Sequence, residues 1–415
     1  MKEIIITLKD NHIRAAVLDG GKLIEVLDDS EKELRLAGSI YKGKVNNIVP
    51  GIQAAFIDIG LGKNAFLYVG DVLEEEFAGN EKIIPKVFPS IENYLKEGQE
   101  IIVQIVREPV GNKGARVTTH LSLAGRYVVL LPGVHGYIGV SRKIKDEKER
   151  QRLQSLGERV KPAEAGLIIR TLAEGVSAKE FFEDVQRLQS EQQEIFKKIE
   201  DHTVKGLLYG SNDPFSRLVR EIIDDEVDKI MIDNGKTAEL LREKLRELGC
   251  PAASKIWTDM KASLFERYGI DVEIRNALHP RVPLARGGYL VIEQTEALTA
   301  IDVNSGKYTG NNNLEETLLS LNLEAAEEIS RQIRLRNLSG IIIIDFIDLE
   351  RTEDWEKLIT TLEKFFERDK VKCKVIGLTK LGLVEVTRKK QGQTLAARYT
   401  ADCPKCSGRG RLAKR

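Results

Sequence analysis

Two apolar runs that each stop on an aspartate constrain this chain most. Residues 341–345 read IIIID and residues 298–302 read LTAID. An uninterrupted apolar strand such as Ile341–Ile344 is expected in the middle of a sheet covered on both faces. The residues around it alternate strand and helix patterns. Tyr289–Glu293 and Thr299–Asn304 predict strands about the turn Gln294–Ala297. Residues 314–337 place Leu314, Leu318, Leu321, Ala325, Ile329 and Ile333 on one helical stripe. Trp355–Arg368 predicts another helix and Lys374–Thr379 another strand. Residues 281–395 are thus a layered α/β domain.

The full length of 415 residues predicts roughly two to four domains. Residues 1–35 begin with short aliphatic strands at Ile4–Leu8, Ile13–Leu18 and Leu23–Leu27, separated by Asp10-Asn11 and Asp19-Gly20-Gly21. Two hairpins cannot bury enough surface alone. Residues 213–280, with a helix start at Asp213-Pro214, a strand at Val227–Ile232 and a helix at Thr237–Leu248, could supply the missing layer. That domain would then be discontinuous. Residues 36–124 read as short strands with Gly and Asn turns, the pattern of a small closed barrel, with a long loop at 73–98. Residues 125–212 mix strand-like segments with a charged helix at 141–160. A second helix at 177–200 has the stripe Phe181, Val185, Leu188, Ile195 and Ile199.

Lys+Arg and Asp+Glu both number 64, so the formal net charge is zero and bulk charge does not drive nucleic-acid binding. Local clusters must do so. Residues 380–415 have ten basic and two acidic side chains. Four cysteines in this length form no disulfide framework and point to a reducing compartment. No apolar run approaches the roughly 18–20 residues of a membrane span, and the first ten residues are too short in apolar content for a signal segment. A soluble cytoplasmic protein is expected.

Four constellations carry chemistry. Asp302 and Asn304 are two apart on a strand and share a face, and Asp345 ends the isoleucine strand. Carboxylates converging at strand ends repel unless a cation lies between them, and hard oxygen donors with few protein contacts suit Mg. The bland alternative is that such aspartates cap loops, which is our reading of Asp348. Phe56 and Phe66 lie in the barrel segment with Lys42, Lys44, Lys63 and Lys113 nearby. They could stack bases, or they could be core. Cys403-Pro404-Lys405-Cys406 has the spacing of half of a tetrahedral zinc site, whose other half a second subunit would supply; the redox reading of the same spacing is weaker, because no thioredoxin-like strand precedes a helix here. Arg170-Thr171 ends a short apolar strand and could fork a phosphate, although arginines at strand ends are usually solvated.

The segments YKGKVNNIVPGIQAAFIDIG, ALTAIDVNSGKY, NLEAAEEISRQIRLRNLSGIIIIDFIDL and CPKCSGRG resemble the RNase E/G family of bacterial endoribonucleases, in the family's order and over nearly the whole chain. The resemblance implies an α/β multidomain chain. A discontinuous RNase H-like domain (1–35 and 213–280) would hold two inserts, an S1 RNA-binding domain of OB-fold β-barrel type (36–124) and a 5′-sensor region (125–212). A DNase I-like catalytic domain (281–395) and a zinc link with a basic tail (396–415) would follow. It implies Mg ligands at Asp302 and Asp345 and an assisting amide at Asn304. It implies RNA-contacting residues at Phe56, Phe66 and Lys113, and a 5′-monophosphate pocket at Gly125, Val129, Arg170 and Thr171. Zinc shared between two subunits would be held by Cys403 and Cys406. The activity implied is endonucleolytic cleavage of single-stranded, A/U-rich RNA, leaving a 5′-phosphate and a 3′-hydroxyl, in rRNA maturation and mRNA turnover. Family members often continue into a small helical domain that pairs dimers. This sequence ends nine residues after Cys406, so a zinc-linked homodimer is expected in place of a tetramer. A non-catalytic RNA-binding or assembly protein is the alternative from another class, and a DNA nuclease is disfavoured by the resemblance alone.

Overall fold

A computed structural model describes residues 1–9, 12–28, 36–73, 77–78, 81–82, 88–109, 113–201, 205–210, 215, 218–224, 226–247, 250–260, 263–306, 314–390, 392–401, 403–406 and 410. The turn Asp10-Asn11, the helix start Asp213-Pro214 and residues 402, 407–409 and 411–415 of the basic tail lie outside the described residues. Two compact units emerge, one of residues 1–30, 226–238 and 255–415, the other of residues 31–225 and 239–254. No described helix is long and apolar enough to cross a membrane.

In the first unit the N-terminal meander acquires the strands it needs. Lys2–Lys9 pairs antiparallel with His12–Asp19, which pairs with Lys22–Asp28 across a turn whose Gly20 and Gly21 have positive φ. On its other edge Lys2–Lys9 pairs parallel with Val227–Ile232, which in turn pairs with Ile256–Thr258. Ile5, Ala16, Leu18, Leu23 and Met231 pack on Leu264, Phe265, Ile270 and Ile274.

The second sheet of this unit has the order Arg281–Pro283, Tyr289–Gln294, Leu298–Asn304, Gly340–Asp345, Val384–Arg388, Cys373–Leu378. Helices Leu314–Leu335 and Thr352–Glu367 bury Leu321, Ala325, Ile329, Ile333, Leu358 and Leu362 against Ile342 and Ile344. The expected cover on both faces is not what forms. Ile341 is 51% exposed, and Ala300, Asp302, Asp345, Ile376 and Thr387 are exposed on the same, opposite face. The reason is pairing direction. Only Leu298–Asn304 and Gly340–Asp345 run parallel, and every other pair is antiparallel. Antiparallel sheets need no second layer of crossover helices and can leave one face open.

The second unit contains a closed five-stranded barrel. Ile40–Val49, Ala54–Asp58, Ala65–Tyr68, Arg116–Thr118 and Glu100–Arg107 pair in a ring that Ile40–Val49 closes against Glu100–Arg107. Val45, Ala55, Ile57, Leu67, Val103, Ile105 and Val117 fill it. Next to it a four-stranded sheet, in the order Leu123–Ala124, Val128–Pro132, Ala165–Ile169, Ile138–Val140, packs under helices Glu147–Val160 and Ala178–Asp201. Phe181, Val185, Leu188 and Ile195 are buried on the expected stripe.

Candidate functional site

The acidic residues meet through strand register. In the parallel ladder Asp302 is the partner of Asp345, so the two carboxylates stand on neighbouring strands, about 5 Å apart at the backbone. Both are exposed on the open face of the sheet. The Asn304 amide donates to Asp302 Oδ2 at 2.8 Å. Asp345 is held above the ordinary carboxylate range by partial burial and by the like charges of Asp302 and Asp348. A concentration of negative charge with no arginine or lysine paired to it among the described residues is the setting a hard cation relieves. Among the described residues no group of three or more His, Cys, Asp or Glu is gathered for a metal, so the protein would offer two carboxylates. That limited donor set suits Mg, which retains several waters.

Asp348, expected to cap a loop or helix, also contributes a like charge at Asp345. The sequence reading also missed Asn322. This amide is fully buried on the long helix, donating to Ile347 O at 2.7 Å and accepting from Ile347 N at 3.1 Å. It pins the loop that leaves Asp345. Nothing in the heptad-like spacing of that helix marks Asn322 as different from a solvent-facing polar residue.

On the barrel, Phe56 and Phe66 are cross-strand partners with rings edge to face at 6.0 Å. Both are half-buried and alternate with the buried Ala55, Ile57, Ala65 and Leu67, so they stand on the outer face and are not core. Lys113 is exposed. It precedes Gly114, whose backbone presses so closely on Asn64 that an added Cβ would lie 1.9 Å from the Asn64 carbonyl. That approach sets residue 113 at the end of the barrel strand containing Phe66.

The four sensor candidates come together. Arg170 Nη1 donates to the Gly125 carbonyl at 2.6 Å, and Val129 lies opposite Ile168 on the strand leading to Arg170. Thr171 Oγ1 is 2.9 Å from Ser141 Oγ. The loop is held from beneath by Asp184, another residue the sequence did not single out. Its buried carboxylate accepts from the backbone N–H groups of Arg126, Tyr127 and Val128 and from Arg187. A Cβ on Gly125 would lie 2.5 Å from Asp184 Oδ2, so only glycine fits.

Cys403 is exposed and Cys406 half-buried in one tight turn. Gly410 N donates to Cys406 Sγ at 3.3 Å. Backbone N–H groups of Cys406 and Lys405 lower the Cys403 thiol, which favours the thiolate that binds metal. The other two thiols are unsuited. Cys250 is buried, and burial with the nearby Asp369 pushes Cys373 up to about 12.

The Ribonuclease E/G family model matches residues 122–391. Ribonuclease G of Escherichia coli strain K12 is 39% identical over 414 residues, 98% of this chain and 84% of that protein. Ribonuclease G of Haemophilus influenzae is 39% identical over 99% of this chain and 84% of its own length. Ribonuclease E of Synechocystis is 38% identical over 100% of this chain and 60% of its own length. A solved chain titled "Crystal structure of a/eIF2alpha-aDim2p-rRNA complex from Pyrococcus horikoshii OT3" covers 46% of this chain at 17% identity with a TM-score of 0.15, too low to bear on the fold. With a family model over more than half its length and relatives matched nearly end to end, the chain belongs to the Ribonuclease E/G family.

Proposed function

We propose that this chain, a ribonuclease by family, is an endoribonuclease that cuts single-stranded, A/U-rich RNA and leaves a 5′-phosphate and a 3′-hydroxyl, with activity raised by a 5′-monophosphate on the substrate. RNA processing and decay, including rRNA maturation and mRNA turnover, is its place. The observation that carries this reading is the parallel register that pairs Asp302 with Asp345 on an open sheet face.

Asp302 and Asp345 would hold a Mg ion, which when bound polarises the phosphodiester and lowers the pKa of a water. Asn304 fixes the orientation of Asp302 through its 2.8 Å hydrogen bond. Asn322 keeps the loop after Asp345 in one conformation, so the two carboxylates need not reorganise when substrate arrives. Phe56 and Phe66 offer two ring surfaces to unpaired bases, each stack contributing roughly 1–3 kcal/mol, and Lys113 adds a phosphate contact. Duplex RNA hides its bases, so stacking of this kind selects single strands. Arg170, Thr171 and the loop at Gly125 receive the terminal phosphate. Cys403 and Cys406 hold half of a zinc site that a second copy of the chain completes, giving a homodimer.

The test is cleavage of a short unstructured RNA bearing a 5′-monophosphate. Cutting should stop in chelator and return with excess Mg, and Arg170→Ala should erase the advantage over a 5′-hydroxyl substrate. Chelator-resistant cutting would remove the metal assignment. RNA bound but never cut would favour the binding-protein alternative.

A further inference from the structure

One row of residues crosses four strands on the open face that carries the acids. Arg281 pairs with Val291, Val291 with Asp302, and Asp302 with Asp345. Residues directly opposite in a sheet project to the same face. In the neighbouring row Tyr289 pairs with Asn304. Val282, Leu290, Ile292, Ile301 and Val303 take the other face and are buried in the core.

Arg281 is exposed, but its side chain lies over a ring of the neighbouring strand. Its guanidinium carbon lies 3.6 Å from the centroid of the Tyr289 ring, the close approach of a cation over an aromatic face. Among the described residues Arg281 has no carboxylate partner, and it is exposed. Tyr289 is itself fixed. It follows Gly288, where an added Cβ would lie 2.7 Å from the Asn304 carbonyl, so the strand ends are pressed together. The charge of Arg281 is therefore held against a side chain of the strand that pairs with the strand of Asp302.

We propose that Arg281, held over the ring of Tyr289, grips a phosphate of the RNA next to the one positioned at Asp302 and Asp345. This rests on the nuclease reading above. A stacked guanidinium keeps its N–H edge free for two-pronged contact with phosphate oxygens and has lost little freedom in binding. It also places the only positive charge in that row opposite the two carboxylates, so a polyanion on this face meets attraction on one side of the acids. The contact holds the backbone in register for cutting and reads no base.

Two measurements test this. The first is binding of an unstructured RNA in chelator, across a salt series. Arg281→Ala should weaken binding about tenfold and reduce the slope of log affinity against log salt by about 0.7, the loss of one single-strand phosphate contact. Arg281→Lys keeps the charge without the planar fork and should fall between. The second is cleavage of a single-cut RNA carrying one neutral methylphosphonate at successive positions. At one position beside the cut the wild type should lose about tenfold in kcat/KM, and Arg281→Ala should lose nothing more. An unchanged salt slope, or equal sensitivity of both proteins at every position, overturns the proposal. Wild type that shows the slope difference but never cuts RNA sinks the nuclease reading and leaves the grip standing.

Discussion

Asp345 ionises against partial burial and against two like charges, Asp302 and Asp348. A residue kept only for stability has no reason to accept that repulsion, whereas a residue that meets a cation does. Replacing it with the isosteric amide separates the two roles. Asp345→Asn should lower RNA cleavage by about a hundredfold or more and leave RNA affinity within about twofold of the wild type. Its unfolding midpoint in chelator should rise slightly, because a like-charge contact is gone. A variant that cuts normally, or that melts far below the wild type, contradicts the assignment. Asp302, Asn304 and Asp345 were legible in the amino-acid sequence, because strand period and strand ends are local properties. Arg281 and Asn322 were not. The first matters through a cross-strand row and the second through a loop 25 residues away, and neither relation is written in the local pattern.

Elements join through single polar side chains, and Glu149 shows how. Helix Glu147–Val160 starts at Asp146, which caps Lys148 N at 3.0 Å. One turn in, the Glu149 carboxylate takes both Arg152 Nε and Nη2 at 2.7 Å. It also accepts from Gly175 N at 2.8 Å, tying the helix to the segment that follows Arg170 and Thr171. The Arg152 fork, aided by the Gly175 N–H, holds Glu149 below the ordinary carboxylate range. A depressed folded value means the stabilisation is present above the unfolded value, about 4.3, and is lost as pH falls through the folded one. Glu149→Gln should therefore cost about 1 kcal/mol or less at pH 7, discounted because Arg152 is 39% exposed. The gap between the two proteins in thermal unfolding should close progressively below about pH 4. A gap constant with pH would mean the carboxylate's charge plays no part. The helical stripes themselves were readable from spacing. The four-isoleucine strand misled because an unbroken apolar run looks alike in one-sided and two-sided sheets, and only the antiparallel neighbours decide which forms.

At the scale of the whole molecule the balance of 64 basic and 64 acidic residues leaves assembly to local chemistry, and the proposed dimer assigns it to the cysteines. Cys403 and Cys406 provide two thiolates in one turn, with Cys403 lowered by neighbouring backbone N–H groups. A tetrahedral zinc needs four donors. Cys250 is buried, Cys373 is pushed up to about 12, and no larger cluster of donors exists among the described residues. The CPKC spacing is what suggested a half-site, and the sequence of one chain cannot display a half that a second copy would bring. The proposed zinc link would have a stoichiometry set by symmetry, one zinc for two chains. Purified protein should sediment as a dimer with about 0.5 zinc per chain. Chelation, or the pair Cys403→Ser and Cys406→Ser, should yield monomers whose individual domains melt as before, since the turn lies outside both hydrophobic cores of its unit. A double-serine variant that remains dimeric, or a monomer holding one zinc per chain, would place the metal or the interface elsewhere.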